Sequence, residues 1–320
     1  MARAALVSRY AAVVCDLDGV VYRGPTAVPG AVAALSALEV PALYATNNAS
    51  RPPAEVAEHL QRLGLDCEPE AVATASQAGA WVLGDRLGPG STVLAVGGAG
   101  VGLALAEAGF TAVAPGDASG AGPLAAVVQG YGPHVTATDL AEAAYAVQGG
   151  ALWVATNTDT TLPTDRGVAP GNGSLVQAVK NAVGREPDVV AGKPQPPLYL
   201  LCAQRLGVEA SAVLAVGDRL DTDIEGAVAA GIDSLLVLTG VDDLAACLAA
   251  PPNRRPTWVA PDLAALHAVP DEAGSGATSL ADLAAAVREV HDATDAGASS
   301  ETLAALTADA ERALDGLTHR

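Results

Sequence analysis

Val13-Val14-Cys15-Asp16-Leu17-Asp18-Gly19-Val20-Val21 interrupts a hydrophobic segment with two acids on alternate residues and then a glycine. In a strand, alternate side chains share a face. A continuous apolar run is the signature of a parallel strand buried on both sides, and open α/β sheets take ligands beyond the carboxyl ends of such strands. Asp16 and Asp18 therefore fall at the mouth of a site. Paired carboxylates there can hold a divalent cation, one attacking an electrophile while the other moves protons. The same residues also suit a turn or a solvated strand end, so the choice rests on what the rest of the chain supplies.

Three further strand ends carry polar groups. After the apolar segment 40–45 comes Thr46-Asn47-Asn48-Ala49-Ser50, ahead of a helix expected to begin near Pro52. A strand-to-helix turn of this kind cradles anions, and it also serves as an ordinary helix cap. After Val189-Val190 comes Ala191-Gly192-Lys193-Pro194. Only two of the 17 Lys and Arg residues are lysines, Lys180 and Lys193. In so arginine-rich a chain, a lysine kept between Gly and Pro suggests a need for a compact point charge. The apolar run 212–216 leads into Gly217-Asp218-Arg219-Leu220-Asp221-Thr222-Asp223-Ile224-Glu225-Gly226. Acids so close together repel unless a cation or hydrogen bonds offset the charge. Asp221, Asp223 and Glu225 have a second explanation as an acidic helix start, which Asp218 on the glycine side lacks.

With these four motifs in this order, the chain resembles the haloacid dehalogenase superfamily of phosphohydrolases. More specifically it resembles the class IIA members with a large cap, which include 4-nitrophenyl phosphatase-like enzymes and the phosphoglycolate, glycerol-3-phosphate and pyridoxal phosphatases. Asp-Leu-Asp-Gly at 16–19, Thr-Asn-Asn at 46–48, Gly-Lys-Pro at 192–194 and Gly-Asp-Arg-Leu-Asp-Thr-Asp at 217–223 match the family's first to fourth motifs. The likeness spans residues 10–268.

The resemblance implies that Asp16 is a nucleophile forming an aspartyl phosphate. It makes Asp18 the acid that protonates the leaving alkoxide and then the base that deprotonates water. It implies Mg²⁺ as cofactor, held by the Asp16 carboxylate, the Asp18 backbone carbonyl and the Asp218 carboxylate. Lys193, Thr46, Asn47 and Asn48 would hold the phosphate, with Asp223 supporting the metal or orienting Lys193. The substrate implied is a small phosphorylated metabolite, first of all glycerol 3-phosphate. Sugar, nucleotide and pyridoxal phosphates are the alternatives within the class.

Gly192 lies 144 positions after Asn48, far more than one βαβ crossover needs. The interval holds strand-like residues 92–96, 125–128 and 152–155 alternating with helix-like residues 101–108 and 139–147. The expected fold is α/β, with a Rossmann-like doubly wound parallel-sheet core in two pieces, 1–83 and 187–268. Residues 84–186 form an inserted α/β cap domain, and 269–320 a short C-terminal helical extension. Within the cap, residues 156–167 and 171–174 read as a long polar loop facing the substrate. In the extension, a linker at 270–278 precedes two amphipathic helices, the first capped by Ser279 and Asp282. Arg254 and Arg255 read as a solvated loop.

Half the residues are hydrophobic, ample for layered α/β cores, and no segment reads as a membrane span or cleavable signal. Four scattered cysteines without a Cys-x-x-Cys pair fit a reducing, cytoplasmic setting. A net charge of −19 argues against nucleic acid and anionic membrane as partners. A homodimer through the cap or the C-terminal helices is compatible with the sequence. The run Gly97-Gly98-Ala99-Gly100-Val101-Gly102 follows a strand, but a dinucleotide fingerprint would need glycine where Leu103 stands. A non-catalytic metal-binding or sensor protein stays open on this fold, as does a phosphomutase. Trapping of a phosphoryl group on Asp16 separates enzyme from binder.

Overall fold

The computed structural model describes residues 4–164, 166–272 and 278–318, and these fall into two compact units. The first takes residues within 1–44, 60–66 and 202–320, the second those within 45–59 and 67–201.

The first unit is organised by strands that the sequence marks as apolar throughout. Every residue of Ala12–Cys15 and Val213–Gly217 is buried, as parallel strands covered on both faces require. They pair in parallel, Ala12 with Val213 through Cys15 with Val216. The strands of this unit lie in the order Trp258–Ala260, Asp233–Val237, Val213–Gly217, Ala12–Cys15 and then Ala42–Thr46, of which residues 42–44 fall in this unit. From Ala12–Cys15 the chain builds outward in one direction, then returns to lay Val213–Gly217 on the other side and builds outward again. The reversal falls between these two central strands, and in open α/β sheets ligands bind beyond the carboxyl ends at such a point. Asp16 and Asp218 are the first residues beyond them.

Two C-terminal helices, Leu280–Asp295 and Ser300–Thr318, belong to this unit. The first starts with a reciprocal cap: the Ser279 side chain accepts from the Asp282 amide, and the Asp282 carboxylate accepts from the Ser279 amide. Its buried face, Leu280, Leu283, Val287 and Val290, follows the helical period. Arg255 is not simply solvated: it makes two hydrogen bonds to Asp295, at 2.6 and 2.7 Å. Arg254 pairs with Glu225 at 2.7 Å. Five residues of the predicted linker at 270–278, 273–277, lie outside the described residues.

The second unit contains a five-stranded sheet in the order Val189–Val190, Leu152–Ala155, Ala126–Gln129, Thr92–Val96, Thr111–Val113, with its pairings parallel. The five elements predicted between residues 92 and 155 are all present, the helices as Ala99–Glu107 and Ala137–Gln148. Helices Ala75–Gly84 and Ala137–Gln148 open with capping boxes, Thr74 with Gln77 and Thr136 with Asp139. Trp153 is fully buried among Leu94, Val127, Val147, Val176 and Val179, and its indole N–H donates to Gln129 Oε1 at 3.0 Å. Besides residues 84–186, the unit takes in residues 45–59, 67–83 and 187–201, so the motifs at 46–48 and 192–194 pack with the insertion.

The segment read as a long polar loop is more ordered than that reading. Thr161–Thr164 and Gly167–Pro170 pair antiparallel, Leu162 opposite Ala169, and helix Asn172–Val183 starts directly after Gly171. The ladder is only two strands wide, so each strand is an edge strand, where prolines such as Pro163 and Pro170 are tolerated. Asp165, at the tip, lies outside the described residues.

Candidate active site

In the first unit the two central strand ends bring three acids together. The Asp16 amide continues the ladder by donating to Val216 O at 2.8 Å, which fixes where its half-buried side chain leaves the sheet. One carboxylate oxygen each of Asp16, Asp218 and Asp223 lies within 4.8 Å of the others. Asp218 and Asp223 are each only 1% exposed. Asp218 Oδ2 accepts from the Val241 amide at 2.8 Å, and its carbonyl from the Asp242 amide at 3.1 Å. Asp223 Oδ2 accepts from the Arg219 amide at 3.1 Å.

Glycines let this cluster close up. A Cβ on Gly19 or Gly240 would overlap the Asp218 carboxylate, and one on Gly217 would overlap Asp223. Gly19 also has φ of +80°, a left-handed conformation that disfavours other residues. The Thr239 hydroxyl donates to Gly19 O at 2.7 Å, tying the loop after Asp233–Val237 to the turn after Ala12–Cys15.

Two unit charges about 4 Å apart repel by ~4 kcal/mol at an effective dielectric of about 20, so three ionised carboxylates this close call for a cation. Oxygen-only donors are the ligand set of Mg²⁺ and Ca²⁺ rather than of softer metals. Asp221, although in the same loop, is not part of the cluster. Arg219 holds it through Nε at 3.0 Å and a terminal nitrogen at 2.9 Å. That guanidinium hydrogen bond keeps the Asp221 carboxyl below the usual range. The Asp18 side chain is exposed, one residue beyond buried Leu17, and is not among the three clustered carboxylates.

The second unit gathers the other predicted residues. Thr46 is buried, and its hydroxyl accepts from the Asn48 amide at 3.0 Å. The Asn48 side chain folds back to accept from the Ser50 amide and hydroxyl. The Asn47 carboxamide pairs with the backbone of Lys193 in both directions: Lys193 N–H donates to Oδ1 at 2.8 Å, and Nδ2 donates to Lys193 O at 2.9 Å. Lys193, 2% exposed, precedes a cis proline and donates through Nζ to Ala45 O at 3.3 Å. A belt of amides continues from there. Asn157 Nδ2 donates to Asn47 O at 2.8 Å, and Asn172 Nδ2 to Asn157 O at 2.7 Å. Asn47 Nδ2 also reaches Asp159 Oδ2 at 3.2 Å.

The family description "Haloacid dehalogenase-like hydrolase" matches residues 13–111, and a HAD-hydrolase-like description matches residues 190–266. D-glycerol 3-phosphate phosphatase of Mycobacterium tuberculosis is 47% identical over 252 residues, 79% of this chain and 69% of that protein. The chain belongs to the haloacid dehalogenase-like hydrolases, among the class IIA phosphatases. Acid sugar phosphatase of Staphylococcus aureus is 36% identical over 241 residues, 74% of this chain and 90% of that protein. A solved glycerol phosphate phosphatase from Mycobacterium tuberculosis in complex with magnesium has 45% identity and a TM-score of 0.78, covering 82% of this chain and 79% of that one.

For a haloacid dehalogenase-like hydrolase the grouping is informative in its detail. Asp16, Asp218 and Asp223 converge in one unit, and Thr46, Asn47, Asn48 and Lys193 lie together in the other. Sequence reasoning does not single out Thr239, Gly240 and Val241: Gly240 and the Val241 amide lie against the Asp218 carboxylate, and Thr239 donates to Gly19 O. Their signal was their place, just beyond the carboxyl end of Asp233–Val237. It likewise left Asn157 and Asn172 as members of a loop, although a fully buried carboxamide is seldom idle.

Proposed function

We propose that this chain hydrolyses small phosphomonoesters to an alcohol and inorganic phosphate through an aspartyl phosphate on Asp16, with Mg²⁺ bound by Asp16, the Asp18 carbonyl and Asp218. The observation that carries the reading is the convergence of Asp16, Asp218 and Asp223 at the reversal point of a parallel sheet. The domain assignment that goes with it is a catalytic core of 1–83 and 187–268, a cap of 84–186 and a helical extension of 269–320, working in the cytoplasm.

Bound there, the cation would offset the repulsion between carboxylate and phosphate dianion. An Asp16 oxygen attacks phosphorus in line with the leaving alkoxide, and the phosphorus–oxygen bond to the alcohol breaks. Asp18, exposed and outside the acid cluster, gives the departing alkoxide its proton. Water then attacks the same phosphorus. Asp18 takes its proton, and Asp16 leaves as a free carboxylate with inorganic phosphate as product. Lys193 and the Thr46–Asn48 turn hold the equatorial oxygens, where charge accumulates. Asp223, buried beside Asp218, supports the cation site.

Glycerol 3-phosphate is the leading substrate because the Mycobacterium tuberculosis relative named for that activity is 47% identical. The acid sugar phosphatases, at 36% identity over 90% of their length, make sugar phosphates the second reading. Assay of the purified chain against a panel of small phosphomonoesters, with Mg²⁺ and with EDTA, tests both. Phosphate release that needs the metal and is fastest with glycerol 3-phosphate is expected. Metal-independent release would remove the cation from the mechanism, and no release from any member would remove the phosphatase reading.

A further inference from the structure

The glycine run Gly97-Gly98-Ala99-Gly100-Val101-Gly102 does not fit a dinucleotide site, yet its place in the fold is where such a site would be. In the second unit the chain builds from Thr92–Val96 to Thr111–Val113 on one side, then from Ala126–Gln129 outward on the other. The reversal lies between Thr92–Val96 and Ala126–Gln129, where an open α/β sheet takes its ligand. Here that crevice is taken by the protein's own turn at 49–51. Helix Ala99–Glu107 has no side-chain cap, and its Gly100 amide donates instead to Ser50 O at 3.1 Å. The buried Ser76 hydroxyl, at the start of another helix, donates to Ala49 O at 2.8 Å.

The approach is too close for any side chain. A Cβ on Gly98 would lie 2.5 Å from Ser50 O. One on Gly100 would lie 2.6 Å from Ala49 O and 2.7 Å from Arg51 O, and these are backbone atoms that cannot swing away. Gly130, after Ala126–Gln129, closes the opposite wall, its Cβ position 3.1 Å from Ala49 Cβ. Gly102, two residues further along the same helix as Gly100, has nothing within 4 Å of its Cβ position.

We propose that Gly98 and Gly100 are positioning residues for phosphate binding: they seat the turn Thr46–Arg51 from behind, so that its front holds the phosphoryl oxygens. The inference rests on the proposed role of that turn as the phosphate cradle. Displacing the turn should therefore weaken whatever the phosphoryl group gains from it, regardless of which alcohol is attached. Alanine is the better helix former at both Gly100 and Gly102, so local propensity favours either substitution and only the seat distinguishes them.

The test compares Gly100→Ala with Gly102→Ala in the full chain with Mg²⁺. Steady-state turnover is measured on glycerol 3-phosphate and 4-nitrophenyl phosphate, with inorganic phosphate as competitive inhibitor and circular dichroism to confirm folding. Gly102→Ala should keep kcat, KM and phosphate inhibition within about twofold of wild type. Gly100→Ala should lose about tenfold or more in kcat/KM, by the same factor on both substrates, with phosphate inhibition weakened in parallel. A folded Gly100→Ala with wild-type phosphate inhibition and turnover overturns the proposal. Should Gly100→Ala fail to fold, Ser76→Ala carries the test, since it removes the Ala49 hydrogen bond without adding bulk. Phosphate inhibition weakened by about threefold is then expected, and unchanged inhibition is the overturning result. Wild-type turnover tests the phosphatase reading by itself, and the ratio of variant to wild type tests the seat.

Discussion

The two units hold their polar residues by opposite physics. In the first, Asp16, Asp218 and Asp223 are like charges forced together by strand geometry, with backbone amides from Val241 and Arg219 restraining two of them. In the second, Asn47, Asn157 and Asn172 are neutral amides that satisfy one another and the backbone beside Lys193. On the proposed function the acid cluster serves to bind a cation and the amide belt to place Lys193, so the first is expected to cost stability when empty and the second to contribute it. A residue's effect on folding and its effect on turnover should therefore have opposite signs in one region and the same sign in the other.

Asp16→Asn is the sharpest way to break that contrast. Turnover should fall by at least about 10³-fold, because the proposed nucleophile is gone. The melting midpoint in EDTA should stay the same or rise, because a source of repulsion is also gone. Mg²⁺ should raise the midpoint of wild type more than that of the variant, since a ligand stabilises the state that binds it. A variant that melts well below wild type in EDTA would show that the carboxylate has a structural role.

Asn47→Ala should behave in the opposite way. It leaves the buried Lys193 amide and carbonyl without their partner, for a loss of about 1–3 kcal/mol in denaturant unfolding. By freeing the lysine it should lower kcat/KM by about 10- to 100-fold. Wild-type stability in this variant would mean that the belt does not hold Lys193. Trp153→Phe probes the same unit at a side chain to which the proposed mechanism gives no role. It removes the indole donor from Gln129 Oε1 and should cost about 1–2 kcal/mol while leaving kcat within about twofold.

The smallest effect concerns the acid that the cluster leaves out. Asp221→Asn should leave turnover within about twofold, although Asp218 and Asp223 flank it in sequence. The Asp221 carboxyl titrates below the ordinary carboxylate value because of its hydrogen bond to Arg219. Its contribution is therefore present in full above that ordinary value and is lost as pH falls through the lowered one. The midpoint difference between wild type and Asp221→Asn should be small at pH 7, shrink further in acid and be screened by salt. A large loss of activity in this variant would place Asp221 in the site.

Much of this was legible in the chain. Unbroken apolar runs ending in Asp16 and Asp218 announced parallel strands with acids at their carboxyl ends, and the Ser279 and Asp282 pair announced its helix. The hairpin at 161–170 was not legible, because its threonines and prolines carry no hydrophobic alternation and pairing comes only from the facing strand. Thr111–Val113 is illegible for a related reason: three residues at a sheet edge, two of them exposed, carry too little pattern to be read. Residue type and position set Asp218 apart but gave Asp221 and Asp223 the same explanation as an acidic helix start, and the Arg219 fork is what separates Asp221 from the cluster.

The sequence by itself determined the α/β class, the four motifs and their order, because periodicity and residue type are local properties that survive without a fold. Tertiary structure alone decided that Asp223 and not Asp221 joins Asp16 and Asp218 in one cluster, that Asn47 bonds the Lys193 backbone, and that the glycine run packs against the turn at 49–51. Those outcomes depend on distances between segments far apart in the chain, which are set by how strands and helices pack and not by any stretch of residues read alone.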